Sequence, residues 1–163
     1  MAWYRCGNSN IGNIALLPER LNADSQTITA SSYEGSYPPW FAFSFNSSTS
    51  WRAGRDDSTP WIACDLGEVK QIIETRFIVI NDLSGEFSAP IYIEGSNDGE
   101  TWANIIKDSS SVTLSVQGPN IPMEKYFRLD GQCRYIRMRS TQNFTVWGGQ
   151  SCWFSDIAYF SIE

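Results

Sequence analysis

Asp56 and Asp57 are the residues whose type could first suggest chemistry, because a pair of carboxylates can hydrolyse a glycosidic bond when the two face each other across a cleft. As sequence neighbours on a Gly-Arg-Asp-Asp-Ser loop they read instead as a solvated turn. The chain has no histidine, which removes the side chain most used for proton transfer near neutral pH and the commonest zinc ligand. Its four cysteines, Cys6, Cys64, Cys133 and Cys152, show no Cys-x-x-Cys spacing, so zinc is set aside. The expectation is a protein that binds and does not catalyse.

The 163 residues are enough for one self-sufficient core, and 42% hydrophobic, 14% aromatic and 18% charged residues describe a packed globule. A net charge of −6 lacks the positive field that attracts nucleic acid or anionic lipid, so nucleic acid is excluded as a partner. No apolar run approaches a membrane span, and the opening Met1-Ala2-Trp3-Tyr4-Arg5-Cys6-Gly7 is not a secretory signal. The expected location is the cytoplasm, with release or assembly into a phage-like particle as the route outward. That opening resembles the start of small prophage tail-region proteins. Asn46-Ser47-Ser48 and Asn143-Phe144-Thr145 match the N-glycosylation pattern, and without a secretory signal they read as chance.

Apolar residues recur at every second position, and β-branched and aromatic residues are plentiful, which predicts a β protein without long helices. Ile91–Ser96 reads as a strand entering a tight Asn97-Asp98-Gly99 turn and resuming at Glu100-Thr101-Trp102. Arg134–Arg139 alternates with Ile136 and Met138 inward and its arginines toward water. The run Phe77-Ile78-Val79-Ile80 suggests a strand covered on both sides. Turn-rich stretches lie at Ser31–Pro39, Asn46–Ser50, Gly54–Pro60, Asn81–Pro90 and Ser109–Pro122. One domain is drawn over residues 22–163, preceded by a segment 1–21 that is an edge strand or an arm. Cys64 and Cys133 fall in apparent core strands as small buried hydrophobes. A Cys6–Cys152 disulfide is conceivable, because the ends of a sandwich often lie close.

Thr29-Ala30-Ser31-Ser32, Ala42-Phe43, Trp51, Trp61-Ile62-Ala63-Cys64-Asp65-Leu66-Gly67, Ile91 through Trp102 and Arg134-Tyr135-Ile136-Arg137 follow one another in a recognisable order. This succession resembles the discoidin domains, also called coagulation factor C-terminal domains, and the family 32 carbohydrate-binding modules, over roughly residues 28 to 163. The resemblance implies an all-β jelly-roll sandwich, galactose-binding domain-like. Trp61 and Trp102 read as core anchors, contributing on the order of 2 to 3 kcal/mol each by burial. Asp65-Leu66-Gly67 reads as a strand end, with glycine permitting a conformation closed to other residues.

The resemblance further implies a shallow site at one end of the sandwich, in loops that here are Tyr33–Phe41, Arg52–Asp57 and Asn143–Trp153. Their candidate ligand-binding residues are Tyr33, Tyr37, Trp40, Arg52, Arg55, Asp57, Asn143, Phe144 and Trp147. Sugars need such a mixture, since their C–H faces stack on rings while their hydroxyls demand paired donors and acceptors. Each ring is either a platform for ligand or a plug of the barrel end, with Trp147, beside Gly148-Gly149, the preferred platform. Galactose-binding members often carry a histidine after the tryptophan that here is Trp51, and this chain has Arg52. Members that bind calcium do so through a loop matched by Ala42–Trp51 and a late acid matched by Asp156; Asn46, Thr49 and Asp156 are the candidate ligands, in a loop that has lost much of its charge. The expected partner is a glycan or another host-surface ligand. Self-association or docking into a larger particle is the alternative, and membrane insertion is not expected.

Overall fold

The computed structural model describes residues 14–17, 27–44, 48–82, 86–144 and 152–162. Within them run eight strands: β1 (Ile14–Leu17), β2 (Ile28–Ala30), β3 (Trp61–Asn81), β4 (Glu86–Ser96), β5 (Ala103–Asn104), β6 (Val112–Gln117), β7 (Met123–Ser140) and β8 (Cys152–Ile162). The only helical element among the described residues is a 3-10 turn, Pro39–Phe43. All pairings are antiparallel, in the order β1-β8-β3-β7-β4-β5, with β2 on β3 and β6 on β4. β1 falls inside the segment 1–21 and lies along Tyr159–Ile162 of β8 as an edge strand.

The all-β reading holds, and period-two alternation explains it. Ile62 and Cys64 of β3, Ile91 and Ile93 of β4, Leu114 and Val116 of β6, Ile136 and Met138 of β7, and Phe154, Ile157 and Tyr159 of β8 all point into one core. β3 and β7 pair along most of their length, and register shifts between Asp65 and Lys70 and between Ile72 and Glu74 let the pair bend. The sheet thereby folds over itself as a sandwich. Buried polar side chains are bonded to the neighbouring strand: Thr75 Oγ1 donates to Ala158 O at 2.9 Å and Ser140 Oγ to Pro90 O at 2.7 Å. Cys64 and Cys133 are free and buried; burial, aided at Cys64 by the Asp65 charge, pushes the Cys64 thiol well up, and burial pushes Cys133 to about 11. Cys6 lies outside the described residues, as does the side chain of Cys152.

Several local expectations are corrected. Trp61 and Trp102 are not core: Ile62 and Cys64 occupy the inner face, so alternation puts Trp61 on the outer one, and Trp102 sits half-buried beside the hairpin. Among the described residues, Trp51 is the fully buried tryptophan. Phe77–Ile80 is not covered equally on both sides, since Phe77 and Val79 are buried and Ile78 and Ile80 only half-buried. Asp65-Leu66-Gly67 is a bulge within β3, not its end, with Gly67 at φ +79° and its N–H donating to Asp65 Oδ1. The stretches Ser109–Pro122 and Asn81–Pro90 contain β6 and the start of β4.

The arginines of β7 are also not simply in water. Arg137 donates through Nε (3.0 Å) and Nη2 (2.6 Å) to Glu94 Oε2, and Arg139 through Nε (2.9 Å) to Glu94 Oε1. Their guanidinium carbons lie 4.2 Å from the Trp102 ring centroid and 4.1 Å from that of Tyr92. Arg134 forks onto both oxygens of Asp65 at 2.9 Å. Burial alone would raise the Glu94 carboxyl, but the hydrogen bonds from Arg139 and Arg137 outweigh it and hold it below its ordinary value.

Candidate functional site

The loop end of the sandwich stands on an aromatic floor. Trp51 exchanges backbone hydrogen bonds with Phe154 of β8 (2.9 and 3.2 Å), and its indole N–H donates to Ser32 O at 3.0 Å. Phe144 packs 5.3 Å from Phe154, 6.2 Å from Trp51 and 6.1 Å from Phe87, and is 0% exposed. Phe144, expected at the ligand site, is therefore a buried plug packed against three core rings. Alternation then carries the next residue outward: Trp51 and Ala53 are buried, and Arg52 between them faces the loops.

Above that floor the loops are tied together by backbone bonds, Glu34 N–H to Arg52 O (2.9 Å), Tyr37 N–H to Glu34 O (3.0 Å) and Arg52 N–H to Tyr37 O (3.4 Å). The Arg52 guanidinium lies in the angle between two rings, 4.3 Å from the centroid of Tyr37 and 4.0 Å from that of Trp153, and those centroids are 6.2 Å apart. Arg55 Nε donates to Glu34 Oε1 at 2.8 Å, while Arg52 Nη1 stands 3.6 Å from Glu34 Oε2. Asn143 Nδ2 donates to Arg55 O, which fastens the third loop to the second. One end thus gathers Tyr37, Arg52, Arg55 and Asn143, as the sequence placed them, with Tyr33 projecting at 54% exposure.

Other expected site residues have different work. The Asp57 carboxylate accepts from the hydroxyls of Ser31 and Ser32 and from Thr59 N–H, so it braces the loops from within. Trp40 is half-buried, edge-on to Phe41 at 6.4 Å, and packs against the core. Trp147 lies outside the described residues. The residue that sequence reasoning passed over is Glu34, the acid on which both loop arginines converge; its signal was a single carboxylate among Ser-Ser-Tyr-Glu-Gly-Ser opposite a two-arginine loop. Glu34 Oε2, Arg52 Nε and Trp153 Nε1 are buried there without hydrogen-bond partners. The arrangement offers donors, an acceptor and ring surface together.

The sequence profile of the F5/8 type C domain matches residues 27–155, which takes in every one of these loops. The chain belongs to the F5/8 type C domain family. Solved structures with the same fold include the family 32 carbohydrate-binding module of AlyQ in complex with 4,5-unsaturated mannuronic acid, 24% identical, TM-score 0.60, covering 82% of this chain and 92% of that one. The family 32 module of C. perfringens NanJ in complex with galactose is 17% identical, TM-score 0.60, covering 83% and 93%. Chitosan-binding module 1 of a chitosanase/glucanase from Paenibacillus sp. IK-5 is 19% identical, TM-score 0.58, covering 82% and 92%. A longer structure, truncated AlyQ with its module and alginate lyase domains, is covered only over 32% of its length. No curated protein matches the chain.

In this F5/8 type C domain the described side chains of the candidate calcium loop, and the late acid, bond to other groups of the protein. Ser44 Oγ and Thr49 Oγ1 bond to each other at 2.5 Å, and Ser44 Oγ also donates to Phe41 O at 2.9 Å. Asp156 is buried in an ion pair with Arg76, and burial pushes its carboxyl up although the Arg76 charge works against that. Asn46 lies outside the described residues. Calcium asks for six to eight oxygens with several carboxylates, and no group of three acidic, histidine or cysteine residues able to hold a metal occurs among the described residues. No helix among them is long and apolar enough to cross a membrane. A separate concavity of about 310 Å³ opens at the β4–β5 hairpin, walled by Ser96, Asp98, Thr101, Ile105 and Cys133. Its polar walls are spent on the turn: Ser96 Oγ donates to Asp98 Oδ1 at 2.8 Å and accepts from Gly99 N–H at 2.9 Å.

Proposed function

We propose that this F5/8 type C domain is a non-catalytic glycan-binding module whose ligand sits on the loop end, against Tyr33, Tyr37, Arg52, Arg55, Asn143 and Trp153. The observation that carries this reading is the convergence of Tyr37, two arginines, Glu34 and Asn143 on three loops, with Trp153 at the start of β8, above an aromatic floor. Hydroxyl-rich ligands are bound by such mixtures of ring faces and oriented polar groups, and rigid supports lower the entropic cost of binding. Solved domains of the same fold carry galactose or unsaturated mannuronic acid, which supports a sugar as the ligand class. Catalysis is disfavoured by the carboxylates themselves, since Glu34 is engaged by Arg55 and Asp57 by two serine hydroxyls.

A glycan array on the purified chain, with and without calcium, tests this. The expected outcome is binding to a defined glycan set that does not depend on calcium. Silence across the array in both conditions would overturn the glycan reading and favour an adhesion or particle component that docks to protein through the same loops.

A further inference from the structure

We propose that the loop site selects carboxylate-bearing sugars, uronates, and that Arg55 is the residue that reads the carboxylate. This rests on the glycan-binding reading above and names the ligand class for the same site.

Three observations carry it. The first is that the stacking surface is partly taken from within. Arg52 covers one face of both Tyr37 and Trp153 at 4.3 and 4.0 Å, and its side chain is only 11% exposed, so a sugar ring cannot use those faces without displacing it. The second is that Arg55 is held by one atom and open at the others. Its Nε donates to Glu34 Oε1 at 2.8 Å, its side chain is 63% exposed, and no second partner for its guanidinium is found among the described residues. A planar guanidinium fixed at Nε presents its two Nη groups as a fork, which matches the two oxygens of a carboxylate and not a lone hydroxyl.

The third observation is the contrast with the same set of groups elsewhere in the molecule. On the outer face of β4 and β7, Glu94 receives both nitrogens of Arg137 and of Arg139, so that cluster has satisfied itself. At the loop end Glu34 makes one close contact and one at 3.6 Å, leaving Glu34 Oε2 and Arg52 Nε without hydrogen-bond partners. Two arginines meet one glutamate there, while Asp57 turns its carboxylate onto Ser31, Ser32 and Thr59 and Asp56 stands beside Arg55, so three acids face two arginines and it is the Arg55 fork, not net charge, that reads the carboxylate. Asp56 is the exposed acid beside Arg55 and opposes an anionic ligand; its removal is therefore expected to strengthen binding, the opposite sign to the removal of Arg55.

The experiment compares tetrasaccharides of galacturonate and of mannuronate with their carboxyl-reduced counterparts, which differ only in replacing the carboxylate by a hydroxymethyl group. Titration calorimetry on the full chain is expected to give a Kd about tenfold or more lower for at least one uronate than for its reduced form. Arg55→Gln is expected to erase that difference, Arg55→Lys to restore part of it, and Asp56→Asn to tighten uronate binding about two- to threefold, with the uronate preference fading at high salt. Thermal unfolding of each variant controls for folding. Equal binding of both forms, or a preference untouched by Arg55→Gln, overturns the assignment of the carboxylate reader. Binding on the glycan array confined to neutral sugars overturns this inference and leaves the module reading standing, whereas silence on array and tetrasaccharides alike overturns both.

Discussion

Two regions of the domain contain the same five-part set, a glutamate, two arginines and two aromatic rings, and use it differently. On the sheet, Glu94, Arg137, Arg139, Trp102 and Tyr92 stand on adjacent strands and the hairpin beside them, and each guanidinium both bonds the carboxylate and stacks on a ring. At the loops, Glu34, Arg52, Arg55, Tyr37 and Trp153 divide those tasks: Arg52 stacks, Arg55 bonds, and hydrogen-bonding capacity is left over. Strand register fixes cross-strand neighbours about 5 Å apart, so the sheet set can close on itself. Loop backbones have no such repeat, and in the loop set Arg55 stays largely exposed while Glu34 Oε2 and Arg52 Nε are buried without hydrogen-bond partners. Composition alone therefore does not separate a stabilising cluster from a binding one; the share of satisfied hydrogen bonds does.

The largest expected effect comes from the floor beneath the loop set. Phe144→Ala should destabilise the domain by about 3–5 kcal/mol, as for other fully buried aromatics, measured by urea unfolding. A cost below about 1 kcal/mol would place the ring on the surface and undo the plug assignment. Next comes the sheet cluster: Glu94→Gln should cost about 2 kcal/mol, because two guanidiniums would lose the carboxylate that compensates them. That cost should depend on pH with a definite sign. A carboxyl whose folded pKa lies below its ordinary value of 4.5 contributes stability above that value and loses it as pH falls through the folded one. The unfolding midpoints of wild type and Glu94→Gln are thus expected to converge below pH 4.5, and a gap that persists unchanged in strong acid would remove the ion-pair explanation.

Much of the fold was legible because period-two alternation is a local signal: Ile62, Cys64, Ile136 and Met138 could be assigned to the inner face from their neighbours alone, and Asn97-Asp98-Gly99 carries its own turn chemistry, with Gly99 at φ +78°. The outward face was misread for the same reason. Trp61 and Trp102 look like core by residue type, yet alternation had already awarded the inside to Ile62 and Cys64, and what covers Trp102 is Arg137 from a strand 35 positions away in sequence. At the loop end, Tyr37, Arg52, Arg55 and Asn143 were expected together through the family resemblance, and the structure places them together, while Glu34 was not among them. Its role exists only through contacts at a separation of 18 and 21 residues, with Arg52 and Arg55, and no spacing rule within one loop reports such a contact. Phe144 shows the converse limit: an aromatic beside Asn143 in a polar loop is indistinguishable from a platform until Phe87, Trp51 and Phe154 are seen around it.

The smallest effect is the sharpest test of the comparison. Glu34→Gln removes the acid of the loop set just as Glu94→Gln does for the sheet set, and the two changes are chemically identical. The Glu34–Arg55 pair is screened by solvent and Glu34 meets the buried Arg52 only at 3.6 Å, so the substitution should cost about 1 kcal/mol, less than Glu94→Gln, with an unchanged denaturant slope. Arg52 should then stay in place, because its two rings and not Glu34 supply its closest contacts. Equal costs for Glu34→Gln and Glu94→Gln would mean that the loop set is as closed as the sheet set, that its unpartnered atoms are filled by ordered water, and that the ligand must be sought on another part of the loop end, with exposed Tyr33 the first place to look.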